Sequence, residues 1–371
     1  MSGFPAEGRL DIAVTVAQGR FTAVRVASSR ALALPSLFSG RRAAEIPELC
    51  SRLYAVCRIA QGLAAAKAVE QAADFEAPPP QRAARRLLLL AETLLDQGGR
   101  ALLDWPRLLG EAPDAAACKD LRAALAGLPR LLYPETDWMR PGGGRLAPDG
   151  AALAESLRRA RAVIETKVLA GQGARLAAHL RAEGLEEFGA CTLPALPPWS
   201  ARDVAQGLAW HDAAFIAAPT WRGMPHRTGA LARLEHHPAL AGAGSGLMGL
   251  LRARLTELAL ALDGLDAVAA GGLAADPGQT PPEGDGVGTA VVEAARGRLA
   301  HRVEIAGGRV RRYAILAPTE WTFHPQGALV KGLLGADTGP DPLARAGLLA
   351  ALLDPCVPCR VTDAGTPAPG A

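Results

Sequence analysis

The chain has 371 residues, 49% of them hydrophobic but only 4% aromatic, so its core must be assembled from Ala, Leu and Val, which favours closely packed helices. Its 40 basic and 37 acidic residues leave a net charge of +3, too balanced to indicate a nucleic-acid or membrane-surface ligand. Six cysteines are too few for a disulfide scaffold. No secretory leader is visible, and no run of about 18 uncharged apolar residues predicts membrane insertion, so a reducing compartment, the cytoplasm, is expected.

Taken in chain order, residues 9–27 alternate (Leu10, Ile12, Val14, Val16, then Phe21, Val24, Val26) about Gln18-Gly19, which predicts a β-hairpin. Residues 52–72 are Ala-rich with helical spacing, and Ala77-Pro78-Pro79-Pro80 stops them. Residues 82–104 repeat the helical pattern, Pro141–Gly144 is a loop, and 151–183 and 246–272 predict long helices. Residues 273–288 are rich in Gly and Pro and predict a mobile surface loop. From Arg298 the period changes to two, and Leu299, Val303, Ile305, then Gly307-Gly308, then Val310 and Leu316 predict a second hairpin. A short helix over 341–353 leads into Asp354-Pro355-Cys356-Val357-Pro358-Cys359, and residues 363–371 have almost nothing to bury and predict a disordered tail. The fold class is α+β, mainly helical, in a single domain over 1–371.

Cys57 and the pair Cys356 and Cys359 are the residues with chemistry to offer. On a helix over 52–72, Tyr54, Cys57 and Gln61 share one face. A cysteine in an Ala-rich helix is ordinarily a small buried hydrophobe, and a lone Cys-x-x-Cys could be a redox pair or half a zinc site. Zinc wants four ligands, yet no second Cys-x-x-Cys is present, and His236-His237 are adjacent rather than spaced. Cys50, Cys118 and Cys191 fit no pattern and are read as structural.

Arg52-Leu53-Tyr54-Ala55-Val56-Cys57-Arg58-Ile59-Ala60-Gln61 and Asp354–Cys359 resemble altered copies of the two cysteine motifs of the [NiFe]-hydrogenase large subunit, Arg-x-Cys-Gly-x-Cys-x-x-x-His and Asp-Pro-Cys-x-x-Cys-x-x-His. The likeness continues through Pro219-Thr220-Trp221-Arg222-Gly223, Thr228–Arg233, Glu293-Ala294-Ala295-Arg296-Gly297 and Ala317-Pro318-Thr319-Glu320-Trp321. It implies a large-subunit-like helical core with small antiparallel hairpins. In that family the first Cys of each motif binds nickel and the second bridges nickel and iron. The resemblance therefore implies bridging roles for Cys57 and Cys359 and a nickel role for Cys356. It also implies that Arg296 and the Pro318-Thr319 segment face the cyanides on iron, as a guanidinium and a hydroxyl suited to acceptors of partial negative charge.

The departures are selective. Tyr54 and Gln61 stand where the family has Cys and His, Thr362 replaces the terminal His, and no acid remains near Leu32–Pro35, where the family's proton-relaying Glu would fall. Together with the segment Pro318–Leu329, the altered motifs are similar to the HupK/HoxV-type hydrogenase expression/formation proteins. That implies a maturation scaffold, not a catalyst. It would bind iron carrying two cyanides and one carbonyl, without nickel, and pass it to the [NiFe]-hydrogenase large subunit, with Hyp-type chaperones (HypC/HypD-like) as further partners. A divergent hydrogenase with redox activity and a metal-free large-subunit mimic are the alternatives. Bound iron, nickel, both or neither separates the three.

Overall fold

The structure is a computed structural model that describes residues 8–199, 203, 207–210, 212–270 and 286–365. Strands β1 (Leu10–Ala17) and β2 (Arg20–Ser28) form the expected first hairpin, in which Val14 faces Val24. Gln18 and Gly19 both take positive φ, 52° and 72°, the conformation that lets a two-residue turn follow the twist of its strands.

The helix expected over 52–72 is two helices. α1 (Ile46–Leu53) ends at Tyr54, and α2 (Arg58–Ala72) starts after Cys57, so Tyr54, Cys57 and Gln61 do not share one helical face. The new N-terminus is stabilised from a distance. Glu92 accepts the Ile59 and Ala60 N–H groups at 2.7 and 2.9 Å, two of the donors a helix start leaves without partners. The proline run does not terminate α2, which already ends at Ala72. It opens α3 (Pro79–Leu103), with Pro79 and Pro80 in the first turn, where no N–H is needed.

The segment expected as one helix over 151–183 runs from Gly150 to Ala182, but its middle, Ile164–Gly173, widens into π-helical turns. The helix Leu247–Ala269 packs along α3, and with the helix Ala115–Leu125 and β1 these elements enclose the main core, built largely from Leu and Ala.

The second hairpin has a third strand that periodicity did not reveal. β3 (Val287–Ala294), β4 (Gly297–Ala306) and β5 (Arg309–Leu316) form an antiparallel sheet. Val287 and Gly288, expected in a loop, are therefore strand, while residues 273–285 of that loop lie outside the described residues. α2 lies against this sheet through Ala65, Ala68 and Ala72. The approach is so close that a Cβ on Gly288 would collide with the Ala68 carbonyl and the Ala72 amide.

The helix Pro342–Leu352 precedes the cysteine pair. Cys359 then begins β6 (Cys359–Asp363), which pairs in parallel with β1 in the order β2-β1-β6. The expected tail is thus ordered at its start, since Asp363 ends β6 and the Ala364 N–H bonds to the Val14 carbonyl at 2.8 Å; residues 366–371 lie outside the described residues. No described helix is long and apolar enough to cross a membrane.

Candidate functional site

An open-mouthed pocket lies where the α1–α2 break, the turn between β3 and β4, the start of the helix Pro318–Thr322 and the Cys356-Val357 segment converge. Cys57, Cys356, Arg296 and Pro318 line it, together with Tyr54 and Gln61. Cys57 and Cys356 thus reach one cavity from opposite ends of the chain. Thr319 is one hydrogen bond away, its hydroxyl 2.9 Å from Cys356 Sγ. Cys359 is not among the lining residues. It pairs with Leu10 at the start of β6, and burial, then Asp11, pushes its thiol up to about 11.

Local structure explains each position. Ala294 pairs with Gly297, so a two-residue turn puts Arg296 at the tip of the β3–β4 hairpin. Pro318 begins a short helix whose Trp321 is fully buried 5.6 Å from Trp199, which anchors Thr319 and Glu320 at the pocket wall. Asp354 ends the helix before the cysteines with φ of 55°, a left-handed conformation that Asp tolerates better than most residues.

Arg296 organises the charge. Its Nη1 lies 3.1 Å from Cys57 Sγ and 3.0 Å from Asp96 Oδ2, and its Nε, which has no hydrogen-bond partner, is 3.6 Å from Asp354 Oδ2. Asp354 also faces Arg100 at 3.4 Å and Arg254 at 3.7 Å. Burial alone would raise its carboxyl, but Arg296, Arg254 and Arg100 hold it below the usual range. Burial pushes the Cys57 thiol well above its ordinary value, opposed by Arg296 and reinforced by Asp96 and Glu92. Glu92 is pushed up to about 8 by burial, then by Asp96, against the N–H groups of Ile59 and Ala60. Asp96 is raised as well, by burial first, with Arg296 opposing. On the opposite wall Arg30 Nη1 holds Glu320 Oε1 at 2.5 Å; burial raises Glu320, and Arg30 counteracts it.

The cavity therefore presents two thiols, each beside a group able to donate a hydrogen bond, and a buried guanidinium whose Nη1 is shared between Cys57 and Asp96. Such a donor set suits a thiophilic metal whose other ligands are hydrogen-bond acceptors. Motif reading missed Asp96, Glu92 and Arg30, and gave no role to Asp354 and Glu320, which stand inside the segments it singled out. One signal was available: Glu92 and Asp96 stand four apart on α3 among leucines, where exposed acids would not be expected. Cys50, Cys118 and Cys191 are buried away from this cavity.

Residues 239–361 match the family described as nickel-dependent hydrogenase. The large-chain fold of the Ni-Fe-Se hydrogenase from Desulfovibrio vulgaris Hildenborough superposes with a TM-score of 0.74 over 92% of this chain and 95% of that one, at 17% identity. The hydrogenase expression/formation protein HupK of Rhizobium leguminosarum is 35% identical over 94% of this chain and 95% of its own length. HoxV of Cupriavidus necator is 31% identical over 91% of this chain and 92% of its own. The uptake hydrogenase large subunit of Rubrivivax gelatinosus matches only 61 residues, 16% of this chain, at 43% identity. With a hydrogenase large-subunit fold and full-length likeness to these relatives, the chain belongs to the HupK/HoxV family of hydrogenase expression/formation proteins, which act in hydrogenase maturation.

Proposed function

We propose that the pocket carries, as cargo, an iron atom bearing two cyanides and one carbonyl, and that the chain is a non-catalytic scaffold that receives it with Hyp-type (HypC/HypD-like) chaperones in the cytoplasm and passes it to the [NiFe]-hydrogenase large subunit. The observation that carries this reading is the pairing of each pocket thiol with a donor: Cys57 with Arg296 at 3.1 Å, Cys356 with Thr319 at 2.9 Å. The thiols would hold the iron, and the donors would meet its cyanide nitrogens.

A thiol whose proton is held by burial must release it when it binds metal. Asp96 Oδ2, 3.9 Å from Cys57 Sγ, is placed to accept it, and burial already raises that carboxyl. Tyr54 stands at the position that the resemblance gives to a nickel thiolate, and a phenol is a poor substitute for one with a soft metal. The expected cargo is therefore iron without nickel. Cys359, which does not line the pocket, joins as a third thiol only if its side chain moves to reach it.

Infrared spectra and metal analysis of the anaerobically purified protein test the reading. Cyanide and carbonyl stretches with iron are expected, lost in Cys57→Ser and Cys356→Ser; Cys359→Ser tells whether the third thiol joins. A second reading, a metal-free large-subunit mimic, draws on the absence among the described residues of three His, Cys, Asp or Glu grouped as metal ligands. Wild-type protein with neither iron nor stretches would establish it, and iron together with nickel would indicate a divergent hydrogenase.

A further inference from the structure

Gln61 lines the pocket one turn into α2 and is buried. Its Oε1 lies 2.9 Å from Nε2 of His301. An amide oxygen only accepts, so that ring nitrogen carries the proton. His301 Nδ1 is then an acceptor, and the Tyr313 hydroxyl, 2.8 Å away, donates to it. Cys50 Sγ, 3.9 Å from that hydroxyl, completes the chain as a weak donor. His301 on β4 and Tyr313 on β5 are diagonal neighbours across paired strands, and both are held by the sheet against α2. Burial pushes His301 down to about 3, so the ring stays neutral.

With the ring protonated at Nε2, each hydrogen in this chain has one acceptor, so the amide can flip only if the ring proton moves to Nδ1. Gln61 therefore keeps its oxygen on the histidine and its NH2 group toward the cavity. Among the described residues that nitrogen has no hydrogen-bond partner. We propose that Gln61 is a third hydrogen-bond donor to the pocket's ligand, beside Arg296 and Thr319, held amide-inward by His301 and Tyr313 as positioning residues. The ligand it suits has an acceptor of partial negative charge. The cyanides of the proposed cargo meet that description, so the inference rests on the reading above.

Two measurements on the full chain test it. In metal-free protein, the ¹⁵N shifts of His301 should show a neutral ring protonated at Nε2 across about pH 5 to 8. A ring protonated at Nδ1 would let Gln61 present its oxygen instead, and would overturn the orientation. In iron-loaded protein, the near-isosteric Gln61→Glu exchanges a donor for an acceptor. Iron retained through desalting should fall on the order of tenfold, and a cyanide stretch should move beyond its linewidth. Tyr313→Phe, which only frees the ring, should move the same stretch less and keep the iron. Unmoved stretches and full iron in both variants would overturn the donor role. If wild-type protein shows no cyanide or carbonyl stretch, the cargo reading fails, while the histidine measurement still decides which way the amide faces.

Discussion

Two buried arginines in this molecule do different work. Arg85 grips Glu70 with both terminal nitrogens, at 3.0 and 2.7 Å, and adds the Arg140 carbonyl at 3.1 Å; Glu70 in turn accepts the Gly142 N–H at 2.7 Å. That clamp joins α2, α3 and the Pro141–Gly144 loop, and its carboxylate is fully buried. Arg296 instead divides one nitrogen between Cys57 and Asp96 and meets Asp354 only at 3.6 Å. Each leaves its Nε without a hydrogen-bond partner, but the first spends both terminal nitrogens on one carboxylate away from the pocket, whereas the second lines the pocket and shares one nitrogen between a thiol and a carboxylate.

The contrast can be broken by experiment. Arg85→Met, which takes the guanidinium from a fully buried Glu70, is expected to cost about 3–5 kcal/mol in urea unfolding. The open side should differ next in its response to pH. Glu92 titrates at about 8 when folded but near 4.5 otherwise, so the folded state binds the extra proton between those values. Stability should therefore fall by about 2 kcal/mol or more as pH rises from about 5 to 8, and Glu92→Gln should flatten that slope. A wild-type stability curve that rises across this window would contradict the assignment. Arg296→Leu should cost only about 1–3 kcal/mol, because Asp354 keeps Arg100 and Arg254 and Asp96 can take a proton. It should nonetheless strip the cyanide-bearing iron; an Arg296→Leu protein less stable than Arg85→Met but still loaded would reverse the comparison. The smallest effect sharpens its edge. Asp341 caps the helix leading to the cysteines through the Ala344 N–H at 2.9 Å, and Asp341→Ala should cost about 1 kcal/mol with iron unchanged.

Much of this architecture was legible where local chemistry decides it. Gln18-Gly19 and Gly307-Gly308 announced their turns because few residues accept positive φ at two successive positions. The long helices Pro79–Leu103 and Leu247–Ala269 followed from apolar spacing. The break between α1 and α2 was not legible, since nothing from Arg52 to Ala60 resembles a helix stop. The capping carboxylate that makes the break stable, Glu92, comes from another helix more than 30 residues on. β3 was hidden because its first residues share the composition of the Gly- and Pro-rich stretch before them, and only contact with α2 shows why Gly288 belongs in a strand. At the pocket, the cysteine motifs drew attention to Cys57 and Cys356, and the segments Glu293–Gly297 and Ala317–Trp321 to Arg296 and Thr319. The acids and the Gln61–His301–Tyr313 chain that surround them depend on residues brought together only by folding.

The parallel pairing of β6 with β1 has a consequence for biosynthesis. The strand that opens the fold waits for a neighbour made about 350 residues later, and the same late segment delivers Cys356, about 300 residues after Cys57, to the wall already holding Cys57. At about 5–20 residues per second, the nascent chain spends roughly 15–60 s with one pocket thiol and two of the sheet's three strands. A partner that recognised the finished pocket would thereby discriminate completed chains from growing ones, and metal would be committed only to molecules whose translation had reached the second motif.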